Sequence, residues 1–102
     1  VTISDDAVYS KSFSTAAIGW GVISGQFGSS PKAVFVFRAI SSAVVQILSS
    51  VGAVNAYNQV ILTGNTGADG AINISANNTT IYIENRSGAA VPYLISLFGS
   101  SP

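Results

Sequence analysis

The sequence predicts an all-β protein, a two-sheet antiparallel β-sandwich or jelly roll of seven or eight short strands, on three observations. β-branched and aromatic residues come in short runs, clusters of Gly, Ser, Asn and Asp interrupt those runs, and no stretch sustains a helical period. A length of 102 residues suits one domain over 1–102, in which folding buries roughly two-thirds of the unfolded surface.

The first strand is read over 7–15, where Tyr9, Lys11 and Phe13 alternate with Val8, Ser10 and Ser12. Residues 17–24 form the next. Ile18, Trp20 and Val22 share one face there, and Gly19 and Gly21 leave the other bare, as in a strand whose back is approached closely. Residues 25–32 are turn formers and predict an exposed loop in which Phe27 is the apolar exception. The run 33–40 is apolar on both faces, Phe35 and Phe37 opposing Val34 and Val36, so it is read as a central strand covered on both sides. Its neighbour is 43–48, whose Ala, Val, Gln, Ile and Leu also suit a short helix. Segments 59–63 and 71–75 flank the Gly/Asn/Asp stretch 64–70 and read as a hairpin. Over 79–85, Thr79, Ile81 and Ile83 face one way and Thr80, Tyr82 and Glu84 the other, a half-exposed strand. The last strand spans 90–98, with Pro92 near its start arguing for an edge or a bulge.

Composition narrows the function. Apolar residues make up 48% of the chain and charged residues 8%, against a usual charged share of about a quarter. Four acids balance four bases, and they are spread out, so no basic stripe exists for a phosphate backbone and nucleic acid is not an expected partner. A neutral, charge-poor chain is expected to cover part of its surface with other subunits. The most apolar stretch, 33–48, is interrupted by Arg38, Ser41, Ser42 and Gln46, so membrane insertion is not expected. The opening residues do not read as a signal peptide.

The residues of catalysis are scarce. The chain has no His and no Cys, which removes the usual general base, both common nucleophile pairs and zinc-thiolate sites. Two-carboxylate hydrolysis would need Asp69 or Glu84 to meet Asp5 or Asp6 across a cleft. Stretch 65–70 has oxygen ligands before a Gly, but it lacks the distal bidentate Glu of a calcium loop. No enzyme activity, metal or cofactor is therefore expected. Asn73, Asn77, Asn78 and Asn85 each open an Asn-x-Ser/Thr sequon, which a chain rich in these residues produces by chance. Exposed aromatics remain as the means of recognition. Phe27, Tyr57 and Trp20 are the candidate ligand contacts, with Asn55 and Asn58 beside Tyr57 as hydrogen-bonding partners. Phe35, Phe37 and Tyr93 are the candidate oligomer interface.

The C-terminal part carries a resemblance. The stretches Gly64-Asn-Thr-Gly-Ala-Asp-Gly70, Thr79-Thr-Ile-Tyr-Ile-Glu-Asn-Arg-Ser-Gly88 and Val91-Pro-Tyr-Leu-Ile-Ser-Leu-Phe98 resemble the β-structured modules of tailed bacteriophages: tail-fibre and spike tips, baseplate receptor-binding heads and capsid decoration proteins. The resemblance implies a virion-surface, extracellular component, usually a homotrimer, whose partners are itself, other virion proteins and a cell-surface glycan or receptor. A trimer would hide the second apolar face of 33–40 along its axis. The alternative is a small lectin-like module in which Tyr57, Phe27 or Trp20 lines a shallow sugar site.

Overall fold

The computed structural model describes residues 1–25 and 31–100, with the backbone alone described at Gly25, Pro31 and Ser100. Nine strands form two sheets: β1 (Thr2–Ile3), β2 (Ala7–Ser12), β3 (Ala17–Gly25), β4 (Pro31–Ala39), β5 (Val44–Ser50), β6 (Val54–Asn58), β7 (Ile72–Asn77), β8 (Thr80–Asn85) and β9 (Val91–Ser100). The five-stranded sheet runs β1-β9-β3-β4-β5 and the four-stranded sheet β2-β8-β7-β6. No helix forms among the described residues, and the sandwich class is the one the sequence predicts.

Period-two alternation builds the core. Ile23, Phe35, Phe37 and Tyr93 from the five-stranded sheet meet Ile72, Ile74, Ile81 and Ile83 from the other, and all are buried. Phe35 and Phe37 lie 6.3 Å apart, and Phe13 stacks on Phe37 at 5.7 Å. The segment 43–48 resolves as strand: Val45 pairs opposite Phe37 and turns inward, so β-branched residues on a half-buried surface outweigh its helical option. Pro92 sits near the start of β9, opposite Thr2 of the two-residue edge strand β1 and beyond the last β3 pair at Tyr93. Its missing N–H therefore costs no central ladder bond.

The close approach expected behind β3 is present. A Cβ on Gly19 would run into the carbonyl oxygen of Phe98 and lie 2.7 Å from the Gly99 Cα, while one on Gly21 would lie 2.5 Å from the Phe35 ring. The obstruction at Gly19 is backbone, which cannot step aside as a side chain can. Gly19→Ala is therefore expected to push β9 off β3 and cost about 1–3 kcal/mol or more, read as a fall in the urea midpoint. An unchanged midpoint would refute the contact.

Two expectations are corrected. Segment 59–63 is not a strand, and 64–70 is not a hairpin tip. The partner of β7 is β6, and the two run parallel, Val54 opposite Ile72 and Asn58 opposite Ala76. Parallel neighbours require the chain to travel back along the sheet, and 59–71 does so across the face opposite the core. Phe35, Phe37 and Tyr93 are, in turn, not a surface: they are 0%, 3% and 3% exposed within one chain. Within one chain this core covers β4 on one side. Val36 on its other side is 36% exposed.

Candidate functional site

The crossover meets the four-stranded sheet through a cluster of hydrogen-bonded polar side chains, which makes it a possible site. Irregular backbone laid over a sheet needs partners for its N–H and C=O groups. The outward side chains of β7 and β8 supply them. Glu84 accepts hydrogen bonds from the backbone N–H of Gly64 at 2.8 Å, Thr66 at 3.1 Å and Gly67 at 2.9 Å, and from Asn73 Nδ2 at 2.9 Å. Asn73 Nδ2 also donates to the Ala68 carbonyl, and Ser75 Oγ to that of Val60. Burial alone would raise the Glu84 carboxyl. The donors from Thr66, Asn73, Gly64 and Gly67 outweigh it and hold the group below its ordinary value.

This is an anion nest filled by the chain's own carboxylate. Arg86 closes its rim, donating from Nε to Asp6 Oδ1 at 3.0 Å and from Nη1 to the Gly67 carbonyl at 2.7 Å. Among the described residues every buried side-chain nitrogen and oxygen has a partner, and no three of His, Cys, Asp and Glu gather as metal ligands. Glu84 is fully buried and already takes four donors. Its chemistry is to hold the crossover in place.

The sequence-predicted contacts do not form one site. Tyr57 is half-buried, its hydroxyl accepting from the Ala68 N–H at 3.1 Å. Asn55 Nδ2 donates to Asn73 Oδ1 at 3.4 Å. Asn58 Oδ1 accepts from the Val45 N–H of edge strand β5 at 2.9 Å, joining the two sheets where both would otherwise end. These three residues serve the fold. Phe27 lies outside the described residues. The sequons at Asn73 and Asn85 are closed as well, both side chains being 0% exposed, with Asn85 Nδ2 donating to the Ile3 and Ala89 carbonyls at 2.8 Å each.

Trp20 is placed differently, 46% exposed on the outer face of the five-stranded sheet. Register shows what surrounds it. One row across the sheet reads Phe98, Trp20, Val36, Gln46, and the next reads Ser100, Ile18, Arg38, Val44. Ile18, Leu48, Leu94 and Phe98 on this face are each more than half exposed. With Trp20 and Val36 they expose on the order of 500 Å² of apolar surface, near the top of what a monomer ordinarily leaves open.

The face has relief. On the β9 side Trp20 and Phe98 stack with ring centroids 4.3 Å apart and planes 19° from parallel, a pair of side chains bulkier than any beside them. On the β4–β5 side the residues are smaller, and a hollow of about 350 Å³ opens between Ile18, Val36, Arg38, Val44 and Gln46. Arg38 forms one wall, its Nε and Nη2 donating to the Ser42 carbonyl at 3.2 and 2.9 Å. That tether keeps the guanidinium beside the hollow. The strand alternation located Trp20, but Phe98, Leu94 and Leu48 were read simply as strand residues. The missed signal is that Ile18, Trp20, Val22, Val34, Val36, Leu94 and Phe98 all fall opposite the core-facing positions of their strands.

Comparison with family models, with curated proteins and with solved structures finds no match to this chain.

Proposed function

We propose that this chain is a non-catalytic structural module of a bacteriophage virion surface that works by assembling with copies of itself and with other virion proteins. The single observation that carries the reading is the bare outer face of the five-stranded sheet, where Ile18, Leu48, Leu94 and Phe98 stand 51–58% exposed around Trp20. A sheet face that is apolar on its solvent side is in the condition of a sheet that another layer covers. Placement on a virion rests on the resemblance of 64–70, 79–88 and 91–98 to phage β-modules. Self-association accounts for the low charge, because a covered surface does not need it.

A second reading, a glycan-binding module, has the Trp20 and Phe98 rings in its favour, since sugar faces stack on aromatics. Sugar recognition also needs polar groups beside the rings. The side chains flanking this pair on β3 and β4, Ile18, Val22 and Val36, are apolar, and the described one on β9, Ser96, offers a single hydroxyl. The assembly reading is tested by the native mass of the purified chain at micromolar concentration, from light scattering, alongside binding to a glycan panel. The expected result is an oligomer that binds no glycan. A monomer that binds one would overturn the reading.

A further inference from the structure

Both halves of a complementary contact lie side by side on the outer face of the five-stranded sheet. One half carries the protruding Trp20–Phe98 pair, and the other carries the hollow lined by Val36, Val44 and Gln46 with Arg38 as its wall. We propose that the occupant of this face is another copy of the chain, with the aromatic pair of one copy seated in the Arg38 hollow of the next. The proposal rests on the assembly reading and gives it a surface and a contact.

Three observations favour a copy over an unrelated partner. Shape comes first. A shallow, open hollow of about 350 Å³ has room for a compact apolar or aromatic side chain, and the same face supplies such a group. Chemistry comes second: a guanidinium beside an apolar hollow attracts an aromatic ring, and Arg38 has its Nη1 and its planar faces left over from the Ser42 tether. Area comes third. A standard interface takes about 800 Å² from each partner. At the Trp20 row the face is four strands wide, about 19 Å at about 4.8 Å per strand, and it is about 30 Å long over the nine residues of β3. That extent, with its side-chain relief and its rim of Ser24, Gln46 and Ser96, supplies an area of that order. Burying Trp and Arg at the centre with polar residues outside is the usual layout of an interface.

Knob-in-hollow contact between different halves of the face is met twice in a two-fold pair and three times in a closed three-fold ring. Either arrangement covers Val36. It also buries Trp20, and this is the only tryptophan of the sequence, so its fluorescence reports the contact without labelling.

The experiment follows native mass by light scattering and Trp20 emission together over a dilution series, for the full chain and for Val36→Lys. Val36 is 36% exposed in the single chain, so a lysine there reaches solvent in the monomer. The expected result is an oligomer with blue-shifted emission that moves red as the mass falls on dilution. Val36→Lys should show the same circular dichroism with the mass of one chain, and Trp20→Ala a dissociation constant raised on the order of 30-fold or more. If Val36→Lys does not fold, Gln46→Lys at the far edge of the hollow is the replacement. An oligomer with solvent-like Trp20 emission that survives both lysines would overturn this face as the contact and leave self-assembly standing. A wild-type monomer at every concentration would overturn both, and a monomer whose Trp20 emission shifts only on adding a polysaccharide would assign the face to glycan.

Discussion

Phe35→Asp is expected to unfold the chain, and not to release folded subunits. Phe35 is fully buried between the sheets, 6.3 Å from Phe37 and hard against the bare back of Gly21. Truncating a buried Phe costs about 3–5 kcal/mol through lost transfer energy and the cavity left behind. A carboxylate at the same place adds the cost of a charge with no partner. The sum is comparable with the whole stability of a domain this size, about 5–15 kcal/mol. Circular dichroism in buffer should show a chain without its sheet signal, and Val36→Lys, one residue along and on the other face, should retain it. A Phe35→Asp protein with the wild-type urea slope and midpoint would show that the ring is dispensable to the core.

That contrast marks where the sequence was legible. Period-two alternation separated Phe35 and Phe37 from Val34 and Val36, and it separated Ile18, Trp20 and Val22 from Gly19 and Gly21. What alternation leaves open is which side of a doubly apolar strand faces its own chain. The larger residues of β4 go inward because glycines of two strands make room for them: Gly21 of β3 faces Phe35, and Gly99 of β9 faces Phe37 and Phe13. Gly21 is one of the two glycines whose bare face marks a close approach to β3, so that part of the information is present in β3 and has to be carried across to β4, whereas Gly99 carries no such mark in the sequence.

The crossover is the other instructive case. Gly64 and Gly70 have φ of +110° and +78°, and the stretch between them does bend as its composition predicts. Turn chemistry specifies a bend and not its partners. Nothing local distinguishes a hairpin between 59–63 and 71–75 from a passage over the sheet. The difference lies in Asn73, Ser75 and Glu84, which alternate with buried isoleucines. Read on their own strands they form a solvent face. They are instead the hydrogen-bonding surface on which the crossover is laid, and the alternation is identical in the two cases.

Glu84→Gln is accordingly expected to have a large effect for a substitution of one atom. A carboxylate accepts all four of its donors, from Gly64, Thr66, Gly67 and Asn73. A glutamine amide turns its NH₂ toward one pair of them and leaves those donors buried without an acceptor. Unsatisfied buried groups cost about 1–3 kcal/mol each, so the loss near neutral pH should be about 2–5 kcal/mol. In a domain of about a hundred residues that lowers Tm by on the order of 10–20 °C. The effect should depend on pH in a defined direction. The folded-state pKa of Glu84 lies below its ordinary value of 4.5. The unfolded chain therefore binds the proton more readily, and the stability that the carboxylate confers is complete above about pH 5. It declines as pH falls through 4.5 and is lost below the folded pKa, where a neutral Glu84 offers its donors little more than Gln does. Urea melts of the two proteins at pH 7 and at successive steps below pH 4.5 should therefore converge. A gap between them that holds constant down to pH 2.5 would mean that the Glu84 charge does not anchor the crossover.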